Sequence, residues 1–307
     1  MKTIAITGIC GTHGGVLTER LRGKYKIIGI DHKAWTGPKP DHVTFVQGNL
    51  RRRVFTNVLS QNPIDAVVHL SITKHFNMPL TTIHELNVMR AQRIIEGCIK
   101  YNIKKVILLS EHTVYGALPN TPMWLKENAP LNGSRYFKEY ASSITADLMF
   151  TELFWKAPEL ETVILRPVNV LGPKTRGLIN SYLKLNTAPI IFGFDPMMQV
   201  IHEQDVSHAI ELALQEGVKG IFNVVGPGAL PLSVLAKESG LKQIPLPLPL
   251  ASMMVNYLFK MRKFPFPETA LSLLQYTLCI DGTDFKNKAG FYPLMNLEET
   301  INSLTNK

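Results

Sequence analysis

Three glycines spaced three apart stand near the start of the chain. Gly8-Ile9-Cys10-Gly11-Thr12-His13-Gly14 follows an apolar run at 2–7 and leads into a helix-like run at 15–21. A strand that ends in glycines and opens into a helix presents free backbone N–H groups at the positive end of a helix dipole. The chemistry this suits is capture of a pyrophosphate, the linker of a dinucleotide. A second apolar run at 26–30 ends in Asp31, roughly 20 residues after the glycines, where a carboxylate meets the hydroxyls of an adenosine ribose. An acid there repels a 2′-phosphate and favours NAD over NADP, while His32 and Lys33 directly after it leave NADP open. The glycine spacing alone is weak evidence; strand, turn, helix and acid in this order make it specific.

Those residues need a parallel sheet behind them. Apolar runs at 2–7, 26–30, 43–46, 65–69, 104–109 and 162–166 alternate with helical patterns at 14–22, 51–60, 79–100 and about 137–156. Such alternation reads as βαβ units. The runs around Val67 and Ile107 are almost wholly apolar, as strands covered on both faces are. In the third helical pattern Leu86, Met89, Ile94, Ile95, Cys98 and Ile99 approximate one stripe. Beyond Gly172-Pro173 prolines thicken and helical pieces shorten. The expected fold class is α/β: a Rossmann-type doubly wound parallel sheet over 1–173 and a smaller mixed α/β C-terminal substrate lobe over 174–307. Part of 200–226 is expected to return to the first domain, since 220–225 reads as a strand closed by Gly226-Pro227-Gly228. Residues 297–304 read as a closing helix. Ligands of such a sheet bind at the carboxyl ends of its strands.

A chain of 307 residues can bury a large core. Its net charge of +9 attracts phosphate-bearing substrates, acidic partners or an anionic membrane. Arg51-Arg52-Arg53 reads as the solvated start of a helix. Zinc-finger spacings and aromatic–basic RNA motifs are absent, so no nucleic-acid partner is expected. Cysteines 10, 98 and 279 show neither metal-ligand spacing nor a disulfide framework, so no metal and a reducing, cytoplasmic setting are expected. The first apolar stretch starts at Ile4 and breaks at Gly8, unlike a signal peptide, and no run reaches the roughly 18 apolar residues that cross a bilayer. Residues 248–266 combine Met253, Met254, Val255, Tyr257, Leu258, Phe259 and Met261 with Lys260, Arg262 and Lys263. They read as core packing of the small lobe, or as an apolar–basic helix that lies on a membrane surface or receives an acyl group.

In several places the chain resembles the extended short-chain dehydrogenase/reductase family, in its NAD-dependent epimerase/dehydratase branch. Thr7-Gly8-x-x-Gly11-x-x-Gly14 is similar to the family's T-G-x-x-G-x-x-G, and Gly48-Asn49-Leu50-Arg51 to its G-D-[ILV]-R. His69-Leu70-Ser71 stands for H-L-A. Asn87-Val88 with Glu96-Gly97-Cys98 resembles the N-V helix. Val114-Tyr115-Gly116, Arg166-Pro167-x-Asn169-Val170-x-Gly172-Pro173 and Ile201-His202-x-x-Asp205-Val206 follow in the family's order. The resemblance implies an NAD cofactor held by Gly8, Gly11, Thr12, His13, Gly14, Asp31 and His32, with Asn49 and Leu50 at the adenine. Toward the nicotinamide it implies Leu70, Ser71, Ile72, Lys74, Asn87, Leu109, Ser110, Tyr140, Pro167, Val168 and Asn169.

The resemblance also implies hydride chemistry assisted by a tyrosine, a lysine four residues later and a serine or threonine after the fifth strand. A free tyrosine has a pKa of about 10, and a nearby cation favours its phenolate near neutral pH. Here the lysine is absent: Tyr140 follows Tyr136 by four, and Ile144 follows Tyr140 by four. Tyr140 suits the family tyrosine better, because Tyr140-Ala141-Ser142-Ser143 resembles Y-x-x-S and its distance to Asn169 fits. At the serine/threonine position stands Glu111, flanked by Ser110, His112 and Thr113. The candidate catalytic residues are therefore Tyr140, Thr113, Glu111 and Ser110. Many nucleotide-sugar enzymes of the family carry an arginine four residues before the later histidine; here it is Met198, with Lys174, Arg176 and Lys184 as other cations.

Two functions follow. One is an epimerase/dehydratase-like oxidoreductase with a non-standard site, acting on a hydroxylated small molecule such as a sugar derivative. The other is a catalytically degraded NAD-binding protein that serves as sensor, chaperone or assembly subunit. Glu111 acting as base in an elimination or isomerisation is a variant of the first. A homodimer through the helices near 79–100 and 137–156 is implied by the resemblance alone.

Overall fold

The computed structural model describes residues 1–50, 53–70, 72, 78–135 and 137–304. In chain order its elements begin with β1 (Lys2–Thr7), α1 (Thr12–Arg20), β2 (Tyr25–Asp31), β3 (Val43–Gln47), α2 (Val54–Gln61), β4 (Ala66–His69), α3 (Leu80–Lys100) and β5 (Lys105–Leu109). Next come α4 (Ala141–Thr151), α5 (Leu153–Lys156), β6 (Glu161–Pro167), β7 (Asn169–Leu171), α6 (Leu178–Leu183), β8 (Thr187–Ile191), β9 (Met197–His202), α7 (Glu203–Ala213) and β10 (Gly220–Val224). The last part holds β11 (Ala229–Pro231), α8 (Leu232–Glu238), β12 (Lys242–Leu246), α9 (Leu248–Lys260), α10 (Ser272–Gln275), α11 (Thr283–Ala289) and α12 (Leu297–Asn302).

Period-two alternation in the strands builds two cores, one on each face of a single sheet. Ile4, Ile6, Val68, Ile107, Val163 and Leu165 share one core with Leu17 of α1 and with Val206 and Ile210 of α7. Ala5, Val67, Val106, Leu108 and Ile164 share the other with Phe55, Ile94 and Phe150 of α2, α3 and α4. Full burial of one such side chain contributes about 1.5–3 kcal/mol. This explains why β4 and β5 read as apolar almost throughout: neither of their faces meets water.

The sheet has seven strands in the order β10-β6-β5-β4-β1-β2-β3, all parallel. The fold is thus the doubly wound α/β architecture that the alternation predicts, with smaller sheets added. The chain winds outward from β1 to β3 and then crosses to β4, so the switch point lies between β1 and β4. Crevices at the carboxyl ends of strands open at such a point. One small sheet has the order β11-β9-β7 and another pairs β12 with β8. Helix α7 lies on α1, where Glu211 takes ion pairs from Arg20 at 2.6 Å and from Lys24.

One element departs from the sequence pattern. The run at about 137–156 is not one helix: Lys138–Tyr140 form a 3₁₀ turn, and α4 begins only at Ala141. The cause is a close approach upstream. Gly133 presses on the loop after β5, where a Cβ would stand 2.3 Å from the Thr113 carbonyl oxygen. The chain is drawn against that loop before it can turn into helix. Arg53 sits at the N-cap of α2, and Arg51 and Arg52 lie outside the described residues. Among the described residues no helix is long and apolar enough to cross a membrane, and no group of His, Cys, Asp and Glu is placed to hold a metal ion.

At the end of β4, His69 is buried, its Nδ1 lies 2.6 Å from the Thr7 hydroxyl, and its ring stacks parallel to Phe150. Burial and then the charge of Arg90 push its pKa down from 6.5 to about 3. The unfolded chain therefore binds a proton here that the folded chain refuses. Stability is full above about pH 6.5 and falls as pH drops toward 3. Between about pH 7.5 and about pH 5 this one group removes about 2 kcal/mol. The expected outcome in urea unfolding is that His69→Gln loses less stability than the parent chain over that interval, by about that amount.

Candidate active site

The glycine turn has the geometry its spacing predicts. Gly8 adopts φ +81, in the left-handed region that favours glycine, and its N–H donates to the Ile30 carbonyl at 2.8 Å. A Cβ on Gly14 would stand 1.9 Å from the Ile9 carbonyl oxygen, so only glycine lets α1 approach the turn this closely. Gly11 is the N-cap of α1 and supplies no side-chain cap, with Thr12 and His13 as the first helical residues. Asp31 ends β2, buried, and accepts from the Cys10 N–H at 2.9 Å and the Lys33 N–H at 3.0 Å. His32 Nδ1 lies 3.0 Å from the same carboxylate.

Gly8, Asp31, His32, Asn49 and Leu50 line one crevice, together with Ile30, Gly48 and Arg90. The turn leaves the helix end uncapped and the crevice carries a carboxylate beside it. These residues fit a dinucleotide: the turn and the start of α1 for phosphates, Asp31 for ribose hydroxyls, Gly48 to Leu50 for the base. Arg90 was not singled out from the sequence. The signal was present: on the buried face of α3, Asn87 and Arg90 interrupt the stripe of Ile83, Ala91, Ile94 and Cys98. A cation on an apolar stripe marks a polar crevice.

A second constellation lies after β5. Tyr140, Thr113 and Glu111 come together, all buried. The Thr113 hydroxyl donates to Glu111 Oε2 at 2.5 Å, and Thr113 and Glu111 both act on the Tyr140 phenol. Burial first, and then the negative charge of Glu111, hold the phenol well above its usual value of 10. Phe137 packs edge-on against the Tyr140 ring at 4.3 Å. A hydroxyl and a carboxylate thus stand beside the phenol. His112 beside them lies with Nδ1 3.1 Å from the carbonyl oxygen of Pro167.

Ser110 belongs to a neighbouring network instead. Its hydroxyl donates to Asp147 Oδ2 at 2.6 Å. Asp147 is paired with Arg166 at 2.5 Å, both fully buried. Arg166 Nη1 donates to the Tyr115 hydroxyl at 2.8 Å and to the Glu127 carbonyl at 3.0 Å, and Tyr115 donates to Asn223 Oδ1 at 2.8 Å.

The other predicted residues are spread along the strand ends. The Leu70 N–H donates to the Thr7 carbonyl, Ile72 is half-buried, and Leu109 ends β5. Asn87 donates to the Ser142 hydroxyl at 2.9 Å, which ties α3 to α4. Pro167 ends β6, Val168 is buried, and Asn169 donates to the Gln199 carbonyl at 3.0 Å. Ser71, Lys74 and Tyr136 lie outside the described residues. Of the other cations, Lys184 donates to the carbonyls of Gly172 and Pro173, and Lys174 and Arg176 are exposed.

Comparison with known proteins agrees with this geometry. The family model of the NAD dependent epimerase/dehydratase family matches residues 4–225. An uncharacterized protein of Mycobacterium tuberculosis is 30% identical over 265 residues, covering 81% of this chain and 68% of its own. The structure of a Bacillus anthracis dTDP-glucose 4,6-dehydratase in complex with NAD superposes with a TM-score of 0.77 at 17% identity, over 99% of this chain and 96% of that one. A Thermotoga maritima UDP-glucose 4-epimerase with UDP-glucose gives a TM-score of 0.76 at 18% identity, over 98% and 97%.

The electrostatics of the second constellation are directly measurable. Subtracting the ultraviolet titration of Tyr140→Phe from that of the parent isolates this one phenol. The difference is expected to show no phenolate up to pH 10, the usual value for tyrosine. Phenolate appearing near neutral pH would contradict the reversed charge environment.

Proposed function

The chain belongs to the NAD dependent epimerase/dehydratase family, and on that premise we propose that it is an NAD-using oxidoreductase of epimerase/dehydratase type. Its substrate is a hydroxylated small molecule of the sugar class. When bound, NAD supplies the acceptor and donor of a hydride. The observation that carries the reading is the buried cluster of Tyr140, Thr113 and Glu111 after β5, in which the Thr113 hydroxyl donates to Glu111 Oε2.

In this reading the Tyr140 oxygen takes the proton of the substrate hydroxyl while its own proton passes to Thr113 Oγ1. The Thr113 proton passes to Glu111 Oε2. The phenol stays neutral throughout, and the carboxylate does the work that a lysine performs in the family pattern. Ser110 takes a positioning role, through Asp147. Residues 1–173, with the strand at 220–224, hold the cofactor, and the lobe beyond 174 holds the substrate. The exposed Ile99 and Leu148, on helices α3 and α4 that pack together, form the face of a homodimer.

The second reading, an NAD-binding protein without turnover, is favoured by the near-complete burial of Tyr140 and the absence of the lysine. One set of measurements separates the two. NAD binding is measured by fluorescence titration, and turnover on UDP-glucose, dTDP-glucose and free hexoses by product analysis. Tyr140→Phe, Thr113→Val and Glu111→Gln are each expected to lower kcat by about 100-fold or more, with NAD affinity unchanged in Thr113→Val and Glu111→Gln. NAD binding with no turnover by the parent on any of these substrates favours the second reading. Turnover that is indifferent to all three substitutions refutes the relay.

The cofactor half has its own test. Asp31→Ala removes a charged acceptor at the ribose position and is expected to weaken NAD about tenfold or more, while narrowing the preference over NADP. Isothermal titration with both dinucleotides reads this directly.

A further inference from the structure

Helix α9 is apolar on two opposite sides. Its inner side, Ala251 and Val255, is wholly buried against the small lobe. Its outer side carries Leu250, Met253 and Tyr257, of which Met253 is 69% and Tyr257 64% exposed. These stand three and four residues apart and form one stripe, continued by Met261. At the other end of the helix, Phe192 is 71% exposed, and its N–H donates to the Leu246 carbonyl two residues before α9 starts. A surface helix ordinarily turns polar residues outward.

The charge along this stretch of chain has one sign. Between Glu238 and Glu268 the sequence contains no acid and four cations: Lys242, Lys260, Arg262 and Lys263. The three at the end of α9 are exposed. The acids that border the patch are engaged with hydroxyls: Glu268 accepts from Ser252, and Asp195 from Ser233. Arg262 has a further peculiarity. Its φ is +59, its N–H donates to the Phe259 carbonyl, and the Lys263 N–H donates to the Leu258 carbonyl. That is the helix-ending motif whose left-handed position usually belongs to glycine. A cation occupies it against the backbone preference, which points to a use for the charge.

We propose that the outer face of α9 docks this protein onto an anionic lipid surface. Leu250, Met253 and Tyr257 enter the boundary between headgroups and acyl chains, and Lys260, Arg262 and Lys263 meet the headgroups. Long flexible apolar side chains, a tyrosine and a cationic flank suit that boundary. A second copy of the chain suits it less, because the same acid-free, basic segment would face itself. The contact is peripheral, as no described helix is long and apolar enough to span a bilayer.

The test is co-sedimentation of the full chain with phosphatidylcholine vesicles, with and without about 30% phosphatidylglycerol. Binding is expected only to the anionic vesicles and is expected to weaken as salt rises. Lys260→Glu/Arg262→Glu/Lys263→Glu is expected to reduce it about 100-fold, and Met253→Ser/Tyr257→Ser at least about tenfold. Arg262→Gly keeps the proposal separable from misfolding: it relaxes the backbone, so Tm holds or rises while vesicle binding falls. The proposal is overturned by absence of binding at low salt, or by binding indifferent to all three variants. A dimer that Met253→Ser/Tyr257→Ser dissolves, or retention on polyglutamate but not on vesicles, would overturn it in favour of a protein partner.

Discussion

The buried pair of Arg166 and Asp147 is the constraint on which the loop after β5 and its surroundings depend. A guanidinium out of water must have its donors met and its charge balanced. Asp147 meets Nε and Nη2, and the Tyr115 hydroxyl and Glu127 carbonyl meet Nη1. Each partner comes from a different element, so satisfying one side chain fixes β6, α4 and the loop after β5 relative to one another. That loop is held at both ends: Ser110 on Asp147, and Tyr115 on Arg166 and Asn223. Glu111 and Thr113 lie between the two clamps. Tyr140 stands at the N-cap of α4, the helix that carries Asp147. Removing one member of such a pair costs about 3–5 kcal/mol, far more than replacing both with a good apolar fit. The pair is therefore poor evidence of stability and good evidence of positional control.

The charge next to Tyr140 follows from the same clamp. A lysine beside a tyrosine favours the phenolate; a carboxylate favours the phenol. Burial is the larger cause here, and Glu111, held by its bond from Thr113, adds to it. A site built this way cannot hold a standing phenolate at neutral pH. On the proposed reading it does not need one, since the phenol passes a proton on as it receives another. The hydroxyl of Thr113 is what makes that possible, being donor and acceptor at once.

Legibility in the sequence followed range. Features set by neighbours in the chain were plain: the glycine turn, the acid that ends β2, the strands apolar on both faces and the crossover helices. Features set by distant segments were not. Nothing near Ser110 marks Asp147 as its partner, and nothing near residue 137 shows that Gly133 presses on Thr113 and delays α4. Asn87 reads as a cofactor contact by resemblance, and nothing near it in sequence marks the bond from its amide to Ser142 on α4. Arg90 was readable in principle, as a cation on an apolar stripe. Helix α9 defeats periodicity for a different reason. With apolar residues on both sides, its pattern does not say which side is covered.

The small lobe departs from the family pattern in one direction. Met198 stands where nucleotide-sugar enzymes of the resembled family carry an arginine, and it is buried within β9. Its neighbour Gln199 is bonded both ways to Ile280, Nε2 to the carbonyl and Oε1 from the N–H. Strand β9 is thereby fastened to the chain near residue 280, and an arginine at 198 would have to bury its charge in that packing. Lys184, just after α6, is spent on the carbonyls of Gly172 and Pro173. On the proposed reading, a diphosphate would therefore meet less positive charge from β9 than the resemblance implies for nucleotide-sugar enzymes.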